Sequence, residues 1–320
     1  MSESGWNTID SDAGVFSELV EKIQIQDVEI NELYSIDSDS LRQLDPVHGV
    51  IFLFKYGKID RQYAQDGNKP LDGVYDQDYQ EKSIFFANQT IQNACATQAV
   101  LNVLLNKSDE VVLGDELSNF KSFVTGFDSE MIGEAMSNSD LIRSVHNSFS
   151  APSSFADDDK PKPPQDYDDK NDGLFHFIGY LLKDNHIYEL DGLKSYPIKH
   201  VECNSQEEFY EKLPGVIHNR ISKYGDELRF SLLAITNNKL EQAKKENDYD
   251  AINTQMMKRE TWKNENELRR HDYMGLIVAL LKNISKDLDD EEWKKLLDSA
   301  RSKGQLSLLQ QFAKAQGLNL

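Results

Sequence analysis

The sequence predicts a mixed fold of strands and helices that contains a β-hairpin and ends in a helical extension. Three observations predict it. Apolar runs of strand length stand at Val50 to Phe54, Leu174 to Leu181, His186 to Asp191 and Leu228 to Ile235. Between them, apolar residues recur at helical spacing. From Asn237 onward the chain becomes highly charged with sparse apolar residues, too thin a segment to own a large core. The boundaries that follow are a main domain over residues 1–236 and an extension over 237–320.

The elements read in order as follows. Trp6 to Ile9 has the pattern of a short strand, and Ser11-Asp12 caps a helix with Val15, Phe16, Leu19, Val20 and Ile23 on one face. Val28 to Tyr34 nearly alternates, as a strand does, and Ser38 to Leu44 reads as a helical turn. Val50 to Phe54 is continuously apolar, which suits a strand buried on both faces. Tyr56 to Lys82 is polar and reads as a long, mobile surface loop. Helices are expected from Cys95, over Gly114 to Thr125, over Ser129 to Met136, and from Ser139 to about Asn147. Residues 147–172 then hold seven aspartates and four prolines, so they must be a solvated loop. Composition alone leaves it open whether that loop is a connector or a lid over a site. Strands 174–181 and 186–191, joined by a turn at Lys183-Asp184-Asn185, form the hairpin. A helix from Gln206 to about Tyr224 and a strand over 228–235 follow. Lys239 to Arg270 suggests an exposed or partner-seeking helix, and Leu276, Ile277, Leu280, Leu281 and Ile284 form an apolar stripe after it.

Composition narrows the function classes. Of 320 residues, 39% are hydrophobic and 28% charged, and the net charge is −20. That balance argues against nonspecific nucleic-acid binding, which needs a basic face, and suits a basic protein partner. Two cysteines, Cys95 and Cys203, are too few for a disulfide framework or a cysteine-based zinc site, and no cofactor is expected. The start lacks the positive and apolar regions of a signal peptide. The longest apolar runs, Gly49 to Phe54 and Met274 to Leu281, fall far short of a membrane span. An intracellular protein with reduced thiols, acting without membrane or nucleic acid, is the expectation.

Chemistry concentrates around Cys95. Asn93 is of the right type to cap a helix whose first turn carries Cys95. There the helix dipole and unpaired N–H groups favour a thiolate, and the same N–H groups can donate to an oxyanion. Taken alone, Cys95 is more simply a small buried hydrophobe. A cysteine hydrolase needs a thiolate, a histidine, a group that orients the histidine, and oxyanion donors. His176 stands on the hairpin, pointing opposite to Phe175 and Phe177. Asp191 ends the paired strand, and Gln89 precedes Cys95 by six residues. Each has a plainer explanation: a half-buried histidine, a turn aspartate before Gly192, a glutamine capping a backbone group. His186 is a rival to His176 but sits at the turn. The order glutamine, cysteine, histidine, carboxylate is that of papain-like hydrolases.

Gln89 through Gln98, with Asn93-Ala94-Cys95-Ala96-Thr97 at its centre, resembles the active-site signature of the ubiquitin C-terminal hydrolases. Phe175-His176-Phe177 and Tyr188-Glu189-Leu190-Asp191-Gly192 resemble that family's histidine and aspartate motifs. Gly5-Trp6, Ser11-Asp12 and Gly14-Val15-Phe16 near the start, and Val47 to Phe54, are similar too. Leu268 to Tyr273 with the helix after it resembles the C-terminal extension of the proteasome-associated branch. Two features depart from the pattern: the 56–82 loop is long, and Asn88 stands where a basic residue is common. The resemblance implies a papain-like α+β fold, with a central antiparallel sheet flanked by helices and a knotted backbone. It implies hydrolysis of bonds to the C-terminal glycine of ubiquitin. Cys95 would be the nucleophile, His176 its partner, Asp191 the orienting group, and Gln89 an oxyanion donor. It favours the lid reading of 147–172, as a loop crossing the active site. It also implies that the extension binds a ubiquitin-receptor subunit of the proteasome and, in some organisms, a chromatin-remodelling complex, in cytoplasm and nucleus. The competing expectation is a ubiquitin-binding scaffold with little turnover.

Overall fold

The computed structural model describes residues 5–65, 69–91, 93–150, 175–225 and 227–315. In chain order the elements are α1 (Ala13–Lys22), β1 (Val28–Glu32), α2 (Ser38–Arg42), β2 (Val47–Lys55), α3 (Lys58–Gln65), β3 (Val74–Tyr75) and α4 (Cys95–Leu104). Next come α5 (Asp115–Phe123), α6 (Ser129–Ser137), α7 (Asp140–Asn147), β4 (Phe175–Lys183), β5 (His186–Leu190), β6 (Ile198–Glu202), α8 (Gln206–Ile221) and β7 (Phe230–Asn237). The chain continues through α9 (Lys239–Glu246), α10 (Tyr249–Arg270), α11 (Met274–Lys286) and α12 (Asp290–Ala315).

The strands form one antiparallel sheet in the order β1-β7-β2-β4-β5-β6-β3. Its middle is covered on both faces, which explains the unbroken apolar run of β2. Ile51 joins a core with α1 and α4, whereas Val50, Phe52 and Phe54 join a second core with α2 and α8. Register places Phe54 opposite His176 across β2 and β4. The sheet admits α4 at unusually close range because two glycines face it. A Cβ on Gly49 or Gly179 would stand 2.5 Å or 2.6 Å from a methyl of Val103, so α4, whose first residue is Cys95, sits directly on the sheet backbone.

Four expectations change. Trp6 to Ile9 is not a strand; Trp6 and Ile9 are buried, and side chains hold the backbone of this stretch instead. The polar stretch 56–82 is not merely a surface loop: it contains α3 and β3, and Asp60 and Asp76 are both buried. Asp76 accepts from Tyr188 Oη at 2.6 Å and from Lys82 Nζ at 2.5 Å, so its polarity serves partners inside the fold. The charged helix α10 is docked rather than free. Asn266 Nδ2 donates to the Gly14 carbonyl and to Glu18 Oε2, Arg269 bonds the Asp12 carboxylate that caps α1, and Lys258 pairs with buried Glu29 at 3.1 Å. Asn93 does not cap α4, as described below. The expected crossover loop lies almost wholly in 151–174, outside the described residues.

Contacts divide the chain into two units. One holds the sheet, its helices and α10 as far as Arg269. The other holds α11 and α12, and α11 exposes Leu276, Leu280, Leu281 and Ile284.

Candidate active site

Cys95 is the first residue of α4 and is partly exposed. The residue before it, Ala94, has no side chain that can cap the helix, so the first-turn N–H groups are not occupied by a cap. Asn93 turns into the left-handed backbone region at φ 68° and directs its Nδ2 to the Trp6 carbonyl at 3.1 Å. Its residue type suits a cap, but the positive φ takes it out of the extended geometry that capping needs.

His176 stands on β4 with its ring buried between aromatic edges. Phe54 and Tyr56 meet it at centroid distances of 5.7 Å and 6.0 Å, both near perpendicular. Nε2 donates to Asp191 Oδ1 at 2.7 Å, which leaves Nδ1 for the Cys95 sulfur. Burial alone would lower the imidazole's pKa; the Asp191 charge and hydrogen bond, helped by Cys95, outweigh it and raise it to about 9. Asp191, just past β5, is opposed by burial and held down to about 2 by His176, with help from Arg220 and the Leu193 N–H. That N–H donates to the same Oδ1 at 2.9 Å, which fixes the carboxylate's orientation.

Gln89 reaches this site from the other side. Its backbone N–H donates to the Gly192 carbonyl at 2.8 Å, next to Asp191. Its Nε2 donates to the Ile91 carbonyl at 3.1 Å, and its buried Oε1 has no partner among the described residues. Asn88 Nδ2 bonds the carbonyls of Gly192 at 3.2 Å and Lys194 at 2.6 Å. The departure at Asn88 therefore sutures the turn after Asp191 to the extended segment leading to Gln89. His186, the rival histidine, bonds the Asp184 carbonyl at the hairpin turn and takes no part.

The sequence reading missed two supports. The first is an amide ladder along α4 and the single 3-10 turn, Leu105–Lys107, that follows it. Gln98, Asn102 and Asn106 lie four residues apart on one face and are buried. Asn102 and Asn106 exchange hydrogen bonds with the backbone of Ala87 and Phe85, and Gln98 donates to the Ala87 carbonyl at 2.6 Å. An edge of extended chain is thus bound to a helix by side chains in place of a strand. The four-residue spacing of amides on an otherwise apolar helix was the available signal. The second is buried Arg220 on α8, which pairs with Glu189 and lies 4.6 Å from the Phe54 ring centre, itself against His176. No sequence motif marks it. Among the described residues no group of three His, Cys, Asp or Glu side chains could hold a metal ion.

Residues 6–222 match the family model described as ubiquitin carboxyl-terminal hydrolase, family 1, and residues 249–288 match a second one described as ubiquitin carboxyl-terminal hydrolases. The chain is 44% identical over 307 residues to ubiquitin carboxyl-terminal hydrolase 2 of Schizosaccharomyces pombe, covering 93% of this chain and 97% of that one. It is 37% identical to isozyme L5 of Dictyostelium discoideum, covering 89% and 93%. The structure is similar to the crystal structure of the Trichinella spiralis UCH37 catalytic domain bound to ubiquitin vinyl methyl ester. That match has a TM-score of 0.59 and 33% identity, and covers 74% of this chain and 97% of that one. With Asp191 bonded to His176 on an antiparallel sheet flanked by helices, a family model over residues 6–222, and relatives matched over nearly their full length, the chain belongs to the ubiquitin carboxyl-terminal hydrolase family.

Proposed function

We infer that the chain is a thiol-dependent deubiquitinase that hydrolyses peptide, isopeptide or ester bonds to the C-terminal glycine of ubiquitin. The observation that carries this is the buried His176–Asp191 pair set against a cysteine at an uncapped helix start, in a chain of this family. Cys95 Sγ attacks the glycine carbonyl carbon and the C=O electron pair moves onto oxygen. The Cys95 N–H and the Gln89 amide donate to that oxyanion once Gln89 releases Ile91. As the C–N bond breaks, the imidazolium of His176 protonates the leaving amine, and a thioester remains. Water then attacks the thioester, His176 takes its proton, and the thiolate leaves. Asp191 keeps the ring oriented and stabilises its charge in both halves. The raised pKa of His176 supports this, because the proton is in place at neutral pH.

The enzyme acts at the proteasome, through binding of the extension to a ubiquitin-receptor subunit. A second family model over 249–288 and the exposed apolar residues of α11 support that partner. A chromatin-remodelling complex is a second partner of the same extension, which places the protein in nucleus and cytoplasm. The test is hydrolysis of a fluorogenic ubiquitin C-terminal conjugate by the chain and by Cys95→Ala, each alone and with the receptor subunit. Turnover that Cys95→Ala abolishes is expected. Silence of the intact chain in both arms, with retained ubiquitin binding, would replace the enzyme by a ubiquitin-binding scaffold.

A further inference from the structure

The first turn of α4 lacks the side-chain cap that helix starts ordinarily have, since a cap would occupy the N–H groups an oxyanion needs. Something else must hold that turn still. Thr97, two residues after Cys95 and in the same turn, is buried, and its Oγ1 lies 2.7 Å from His146 Nδ1 on α7. His146 is fully buried, and its Nε2 lies 2.6 Å from the Asn7 carbonyl. A carbonyl only accepts, so Nε2 carries the proton. Nδ1 of the neutral ring is then the acceptor for the Thr97 hydroxyl. Burial holds the ring's pKa down at about 4, against the opposing pull of the Asn7 bond, so this neutral form persists at physiological pH. The Trp6 ring packs on the imidazole at 4.7 Å.

The N-terminal segment that His146 grips is itself fastened on every side. Asn93 Nδ2 donates to the Trp6 carbonyl, Asn147 Oδ1 accepts from the Asn7 N–H at 3.0 Å, and Asn147 Nδ2 donates to the Gly5 carbonyl at 2.8 Å. Two ties therefore run from this segment into the nucleophile turn. One reaches the residue two before Cys95 and the other, through His146, the residue two after it.

We propose that His146 is a positioning residue for the nucleophile: through the Thr97 hydroxyl and the Asn7 carbonyl it ties the first turn of α4 to the N-terminal segment and so sets where the Cys95 sulfur stands against His176. The role rests on Cys95 being the nucleophile, so Cys95→Ala is run alongside. Thr97→Val removes the hydroxyl at constant shape, and Thr97→Ser restores it. Steady-state hydrolysis of the fluorogenic ubiquitin conjugate is measured well below each variant's Tm. In Thr97→Val, kcat should fall about tenfold or more with KM changed less than about twofold, and Thr97→Ser should stay within about twofold of wild type. His146→Phe keeps a ring against Trp6 but offers Thr97 no acceptor and Asn7 no donor, and should show the same split. Wild-type kcat in Thr97→Val and His146→Phe, a loss confined to KM, or an equal loss in Thr97→Ser would each overturn the proposal. Activity surviving in Cys95→Ala would instead overturn the assignment of the nucleophile.

Discussion

His176 and Asp191 titrate as a pair, and their shifts point in opposite directions. The imidazole is raised to about 9 from 6.5, so the stability it contributes is fully present below about pH 6.5 and is lost as pH rises through about 9. The carboxylate is lowered to about 2 from 3.8, so its contribution is present above about pH 3.8 and is lost as pH falls through about 2. In the proposed mechanism the same ionisation serves the leaving amine. The pH profile of kcat/KM should therefore fall on an alkaline limb near pH 9, as the imidazolium gives up its proton. In Asp191→Asn that limb should move down toward pH 6.5, and an unmoved limb would mean that another group supplies the proton. Gln89 is argued at the same scale. Gln89→Ala should lower kcat by about 10²–10³-fold with little change in KM, because an oxyanion donor acts only in the transition state. His176, Asp191 and Gln89 are each picked out by their motifs, whereas Asn93 departs from its expected role. Its residue type suits a cap, and only the backbone's turn to φ 68° reveals that it serves Trp6 instead.

The elements that carry the site differ in how openly the sequence announces them. The β4–β5 hairpin is legible because its strands are apolar runs and its turn is Asp184-Asn185, two residues with positive φ. α4 is legible by its apolar face, but the amides on that same helix are not read by hydrophobic periodicity. Their role depends on a segment, Ile84 to Ala87, that belongs to no strand and whose Phe85 and Ala87 backbone pairs with side chains. Asn102→Ala removes its two bonds to Ala87 and leaves the Ala87 N–H unpaired in the core, while the carbonyl keeps Gln98. It should destabilise the fold by about 1–3 kcal/mol in denaturant titrations and lower kcat as Gln89 loses its footing. Polar composition misled at 56–82 for a related reason. Asp60 and Asp76 look like surface residues until Tyr224 and Tyr188 are found donating to them.

At the scale of the whole molecule, the charged stretch after Asn237 contains two different things. α10 is stitched to α1 by Trp262, Asn266 and Arg269, while α11 and α12 belong to a second unit. Charge density alone cannot separate them, because the docking contacts of α10 are mostly ion pairs and amides. A chain ended after Arg270 should keep its Tm, whereas one ended after Asn237 should melt about 5–10 °C lower in calorimetry. Equal melting would mean that α10 contributes nothing to the body. The net charge of −20 narrowed partners without naming one; substrate class came from motif likeness, which composition cannot supply.

The central claim, that Cys95 is the sulfur that meets the C-terminus of ubiquitin, has a direct measurement. The chain holds two cysteines, and Cys203 is buried with its Sγ directed to the Ser205 carbonyl. Treatment with ubiquitin vinyl methyl ester, followed by intact-mass spectrometry and peptide mapping, should show one ubiquitin added per chain, bonded at Cys95 and absent in Cys95→Ala. An adduct at Cys203, or an unmodified chain with Cys95 reduced and the fold intact, would contradict it.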